Sequence, residues 1–170
     1  YKLAMLNIAV VGKNEKITSL LEVHFSDFSK YIGEDIKVLT TKVISNYLDS
    51  FVNAVDVVIA QYEDSSRELL EGLKQFRHRE PSLPLILILN RKEDAYYASA
   101  YHPFAVVTVD DISSIFSKDL LGDLIETVKN ERRNSVALKS RSNVRKIRLE
   151  DVAYAEVFGH NISFKLMNKY

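Results

Sequence analysis

The chain contains no cysteine, which excludes disulfides and thiolate metal sites and leaves a reducing compartment allowed. No apolar run approaches the ~20 residues that a membrane-crossing helix needs, and no basic stretch followed by a long apolar one opens the chain. The expectation is a soluble, cytoplasmic protein with no membrane partner. Glycine motifs that cradle phosphate are missing too. Gly12 follows an apolar run, yet neither Gly-x-Gly-x-x-Gly nor Gly-x-x-x-x-Gly-Lys-Ser/Thr continues from it. The histidines His24, His78, His102 and His160 are scattered, without the His-x-x-x-His or His/carboxylate spacing of a metal centre. His24 lies on or beside an apolar helical face and reads as a boundary residue. Neither a metal nor another cofactor is expected, and no enzymatic activity.

What is present is material for one good core and part of a second: 170 residues, 46% of them hydrophobic. The formal net charge of zero hides an asymmetry. Residues 1–131 carry 14 Lys/Arg and 20 Asp/Glu, whereas residues 132–170 carry 9 and 3. Between positions 132 and 149 stand Arg132, Arg133, Lys139, Arg141, Arg145, Lys146 and Arg148 with no acid among them. Such a break suggests a second module, with either a solvated strand face or a surface that faces a polyanion such as DNA.

Within residues 6–131, short apolar runs at 6–11, 36–39, 55–60, 85–89 and 104–109 alternate with segments of helical period. Ile17, Leu20, Leu21, Phe25 and Phe28 share one helical face, as do Leu69, Leu70, Leu73 and Phe76, and later Leu121, Leu124, Ile125 and Val128. Helices are expected at 15–31, 42–52, 65–78 and 117–131, with a weaker one near 93–101. Near-continuous apolar strands with helices on both faces predict a flavodoxin-like (βα)5 α/β domain. Ligands of such sheets gather beyond the carboxyl ends of the strands. Those ends read Gly12 and Lys13, Gln61, Asn90 and Val109, a poor catalytic set.

After Asn134 the period changes. Segments 135–139, 144–148, 152–157 and 161–166 alternate as antiparallel strands do. Ser140-Arg141-Ser142-Asn143 is expected to close one hairpin and Phe158-Gly159-His160-Asn161 a second. Four such strands make a marginal core, so this part is expected to lean on a partner or on further chain.

Asn7-Ile8-Ala9-Val10-Val11-Gly12-Lys13-Asn14-Glu15 resembles the opening of a bacterial response-regulator receiver domain, whose first strand ends in two adjacent aspartates. Those positions fall on Gly12 and Lys13. The stretch from Val55 to Gln61 is similar to the receiver's third strand and puts its phosphoacceptor aspartate at Gln61. Pro84 to Asn90 resembles the fourth, with the family's Thr/Ser at Asn90. His102 to Asp110 resembles the fifth, with the Lys-Pro pair at Val109 and Asp110. The resemblance implies a receiver without its chemistry. An amide at Gln61 cannot become an acyl phosphate, Gly12 and Lys13 offer Mg²⁺ no carboxylate, and Val109 cannot replace the phosphate-pairing lysine. Asp64 is an alternative acceptor if the third strand runs three residues longer; otherwise it belongs to a loop and helix cap. Lys13 is expected to reach the Gln61 carbonyl.

From Asn143 to Phe164 the chain resembles the start of a LytTR domain, the all-β DNA-binding module of many response regulators. Leu149, Asp151, Val152, Tyr154 and Glu156 fit its Leu-x-Asp-Ile-x-Tyr-x-Glu hallmark. The resemblance makes His160 and Asn161, at the following turn, candidates to contact DNA bases or phosphates; an ordinary polar turn is the alternative. Its later DNA-contacting elements would lie beyond Tyr170, so residues 1–170 are expected to bind DNA weakly.

Together these readings predict residues 1–131 as a degenerate receiver and residues 132–170 as a linker and the N-terminal part of a LytTR-like domain. The implied role is that of an atypical response regulator of a two-component system controlling transcription. It would dimerise or meet an unknown signalling partner, with Tyr96, Tyr97 and Tyr101 as candidate interface aromatics. The alternatives are a non-phosphorylated interaction or dimerisation module, and a phosphorylation switch acting through Asp64 or another acid.

Overall fold

A computed structural model describes residues 5–139 and 144–167. Strands β1 (Leu6–Val11), β2 (Ile36–Thr41), β3 (Val57–Tyr62), β4 (Leu85–Leu89) and β5 (Ala105–Thr108) form one sheet of order β2-β1-β3-β4-β5. Every pairing in it is parallel. This is the expected flavodoxin-like order, whose switch point falls between β1 and β3. The connections carry α1 (Glu15–Ile32), α2 (Ile44–Ser50), α3 (Arg67–Arg79) and α4 (Ala95–Ala98), and α5 (Lys118–Arg133) follows β5.

The period of two along each strand divides the core between the sheet faces. Val57 and Ile59 of β3 pack with Ile17, Leu21 and Phe25 of α1 and with Leu121, Leu124 and Val128 of α5. Val58, Ala60 and Tyr62 pack on the other face with Ile44, Tyr47 and Leu48 of α2 and with Leu69, Leu73 and Phe76 of α3. Each large apolar side chain so buried contributes about 1.5–3 kcal/mol. The alternation places Gln61 on the α1 side.

Several boundaries differ from expectation for identifiable reasons. β3 begins two residues late because the Asp56 carboxylate accepts from the Asn7 N–H (2.9 Å) and from Arg132, and its ladder with β1 starts at Val57. The weak helix near 93–101 is broken into a 3₁₀ turn (Lys92–Asp94), α4 and a second 3₁₀ turn (Ser99–Tyr101), and Pro103 disfavours any continuation. β5 stops at Thr108, and the 3₁₀ segment Val109–Phe116, unforeseen in the sequence, buries Ile112 and Ile115.

In the second part, β6 (Ser135–Lys139) pairs antiparallel with β7 (Val144–Arg148), and β8 (Val152–Phe158) with β9 (Asn161–Leu166). The expected Ser140–Asn143 turn lies outside the described residues. The second turn is two residues, Gly159 and His160, with φ +60° at Gly159; a positive φ at the first turn position is the demand of a type II′ hairpin. α5 extends through Arg133, Asn134 caps it and β6 begins at Ser135. Arg132 and Arg133 are therefore the end of α5. No helix among the described residues is long and apolar enough to cross a membrane.

Candidate functional site at the sheet switch point

Beyond the carboxyl ends of β1 and β3 lies a cleft of about 350 Å³. Gly12, Lys13, Gln61 and Asn90 all line it, together with Asn14, Lys42 and Glu63. Val109 does not; it packs, half-buried, against the core on the α1 and α5 face. Four of the five positions singled out at strand ends thus meet in one place, and the fifth is diverted because the chain leaves β5 one residue early.

Local structure explains how the cleft is shaped. Asn14 is the N-cap of α1, its Oδ1 accepting from the Lys16 N–H at 3.1 Å and the Ile17 N–H at 3.5 Å, which satisfies amides the first turn leaves without helical partners. The Asn14 main chain is in turn held by Gln61. Gln61 Oε1 accepts from the Asn14 N–H (3.0 Å), and Gln61 Nε2 donates to the Asn14 carbonyl (3.1 Å) and to Thr18 Oγ1 (3.3 Å). Both halves of the side-chain amide are matched by both halves of one peptide residue, so the pairing resembles a short piece of sheet ladder.

Gly12 makes this possible. A β-carbon at position 12 would stand 2.2 Å from Gln61 Cδ and 2.5 Å from Cγ and Nε2, far inside contact distance. The Gln61 side chain therefore lies across the space that any other residue at position 12 would occupy. The expected bond from Lys13 to the Gln61 carbonyl is replaced: that oxygen takes the Asn14 N–H, and Lys13 is exposed at the rim.

The remaining candidates separate from the cleft or flank it. β3 ends at Tyr62, so Asp64 stays in the loop, where its Oδ1 accepts from the Tyr62 hydroxyl at 3.1 Å. Ser66, not Asp64, caps α3, accepting from the Leu69 N–H at 3.3 Å. Burial, and then the bond to Asp64, pushes the Tyr62 hydroxyl well above the ordinary tyrosine range. His24 stacks on Phe116 with ring centroids 4.8 Å apart. Tyr96 and Tyr97 are exposed and meet edge to face, whereas Tyr101 turns toward Tyr62. His160 and Asn161 are exposed at the β8–β9 turn, in a different part of the chain from the cleft. Reading strand ends alone missed Asn14 and Thr18; the signal for Asn14 was its position as a cap residue directly before a helical period.

Comparison with solved structures identifies the architecture. A response regulator receiver domain protein from Clostridium thermocellum matches 75% of this chain and 97% of its own, at 16% identity and TM-score 0.55. The signal receiver domain of an HD domain-containing protein from Pseudomonas fluorescens Pf-5 matches 78% and 96%, at 16% identity and TM-score 0.60. The response regulator TrrA from Thermotoga maritima, solved in complex with Mg²⁺ and BeF, matches 72% and 99%, at 18% identity and TM-score 0.56. The fold is that of response-regulator receiver domains. No protein-family profile matches the chain, and no curated protein matches it in sequence.

The receiver fold raises the question of Mg²⁺, and the side chains at positions 12, 13 and 61 supply no carboxylate for it. Mg²⁺ binding by a protein rests on one or more carboxylates in near-octahedral geometry. Here Gly12 has no side-chain ligand, Lys13 is cationic, and the Gln61 side-chain oxygen is turned to a main-chain N–H. Among the described residues no three His, Cys, Asp or Glu side chains are grouped so as to hold a metal ion. Two carboxylates, Glu63 and Glu68, line the cleft, and Glu68 accepts from the Ser45 N–H at 3.2 Å.

Proposed function

We propose that this chain is the pseudo-receiver and first part of the output domain of an atypical response regulator, in which the receiver fold serves contacts and does not accept phosphate at its usual position. The carrying observation is the closure of Gln61 on the Asn14 main chain across Gly12. An amide nitrogen engaged by two oxygens is no nucleophile, and the same side chain fills the room that a carboxylate at position 12 would need. The LytTR-like sequence after Asn134 supports transcription control through DNA bound by a complete module, with His160 and Asn161 at an exposed turn as contact residues. The exposed Tyr96 and Tyr97 support a second reading, a homodimer or a partner docked through the receiver-like domain, with no phosphate signal.

Incubation with acetyl phosphate and Mg²⁺ followed by intact mass measurement is expected to leave the mass unchanged. Addition of one phosphoryl group, whether at Asp64 or elsewhere, overturns the pseudo-receiver reading. DNA binding is tested by mobility shift of the natural full-length protein on upstream DNA from its own genome. His160→Ala is expected to weaken a specific shift; a protein that shifts no fragment supports the interaction-module reading instead.

A further inference from the structure

The base of the sheet, opposite the cleft, holds a second cluster of polar side chains. Arg132, at the end of α5, donates through Nε to Asp56 Oδ1 (3.1 Å), through Nη2 to Oδ2 (2.7 Å), and to the Met5 carbonyl. Beyond β6, Arg148 at the end of β7 donates through Nη1 to both oxygens of Glu131 in α5 (3.3 and 3.5 Å) and to the hydroxyl of Ser82 in the α3–β4 connection. Its Nε lies 2.9 Å from a Glu150 carboxylate oxygen, an ion-pair distance without hydrogen-bond geometry. Ile147 beside it is 7% exposed. The chain leaves α5 through a single residue, Asn134, whose carbonyl accepts the Leu149 N–H at 2.7 Å, and the Ser135 hydroxyl donates to the Glu131 carbonyl at 2.6 Å. The hairpin's first and last residues are thus both tied to the last turn of α5.

The geometry points to an intramolecular interface in which Arg148 is the positioning residue, seating the β6–β7 hairpin on α5 and the α3–β4 connection and setting the direction in which the following module leaves the receiver-like domain. A connection of one residue leaves the hairpin little freedom of its own, and a guanidinium that meets a hydroxyl and a carboxylate on two different elements fixes what freedom remains. Arg148 is 29% and Glu131 18% exposed at the side chain, so the pair is sheltered enough to outlast ordinary salt, unlike a pair at the surface. Two consequences follow. The basic run between 132 and 149 loses Arg132 and Arg148 as polyanion ligands, since both are turned inward to acids. The module's orientation is governed from the base of the sheet, by α5 and residues around Ser82, and not from the Gln61 cleft at the opposite end. This inference stands whether or not the chain binds DNA.

Hydrogen–deuterium exchange of the whole protein tests it. Arg148→Ala is expected to speed exchange of the β6 and β7 amides about tenfold through local opening, while β1, β3 and β4 keep their wild-type rates. Unchanged hairpin rates in Arg148→Ala overturn the proposal. Should Arg148→Ala also loosen β3 and β4, Glu131→Gln decides, because it keeps the size of the side chain: acceleration confined to the hairpin supports the interface, and none overturns it.

Discussion

Every residue of β4 from Leu85 to Leu89 is at most 1% exposed, whereas in β8 Tyr154, Val157 and Phe158 are 53%, 71% and 62% exposed. Both strands are rich in apolar side chains. They differ in what surrounds them: β4 has a strand on each side and helices over both faces, while β8 has β9 alone among the described residues. The β8–β9 register puts Ala155, Val157, Ile162 and Phe164 on one face and Tyr154, Glu156, Ser163 and Lys165 on the other. A two-stranded sheet with one apolar face is marginal by itself. Apolar content therefore does not make a core; closure by neighbouring elements does.

The contrast is sharpest for truncations of large side chains. Phe76→Ala removes a fully buried ring that meets Tyr47 edge to face at 5.7 Å, and a loss of about 3–5 kcal/mol is expected in urea unfolding. Tyr47→Phe comes next. The Tyr47 hydroxyl donates to Glu80 Oε2 at 2.6 Å, and Glu80 is 6% exposed, its other oxygen accepting from the Asn53 N–H at 3.1 Å. Removing one donor to a buried carboxylate is expected to lower stability by about 1.5–3 kcal/mol. Burial, and then Glu80, raise the Tyr47 hydroxyl far above its ordinary value of 10.0. A folded-state value that is raised supplies stability present below the unfolded value and lost as pH rises above it. Wild type is expected to lose stability as pH rises beyond about 10, and Tyr47→Phe to show a shallower decline; equal slopes in alkaline unfolding would refute this role of Tyr47.

Smaller effects are expected at the cleft. Gly12→Ala drives Gln61 off the Asn14 main chain and is expected to lower stability by about 1–2 kcal/mol. In a Gln61→Ala background the same change should have almost no effect, so the double-mutant cycle reads the coupling directly; additive effects would mean the two positions are independent. The smallest change belongs to the hairpin. Ile162→Ser, at a residue 60% exposed, is expected to stay within about 0.5 kcal/mol. A loss comparable with that of Phe76→Ala would show that the β8–β9 face is covered in solution and would break the contrast.

Much of the receiver-like part was legible because its signals are local. The runs ending at Val11, Ala60 and Leu89 and the helical faces through Leu21, Leu73 and Leu124 each announce an element by period alone, and their alternation leaves few topologies. The cleft was half legible. Strand ends located Gly12, Lys13, Gln61 and Asn90, but the partner of Gln61 is 47 residues away in sequence, and no periodicity ties position 61 to the main chain of Asn14. Lys13 looked like the natural partner by charge; peptide groups, invisible in a sequence of side chains, supplied the bonds instead. Arg132 and Arg148 misled in the same way. Composition put them in a basic surface, and only the approach of Asp56 and Glu131 shows them turned inward.

The sequence by itself determined which elements form, their order, and the lack of an acid at positions 12 and 61, because propensity, period and residue identity act over a few neighbours. Tertiary structure alone decided that Gly12 and Gln61 are one feature, that Val109 leaves the cleft, and that the hairpin is fastened at the base of the sheet. Each of these depends on distances between segments far apart in the chain, and such distances exist only once the sheet has closed and its helices have packed.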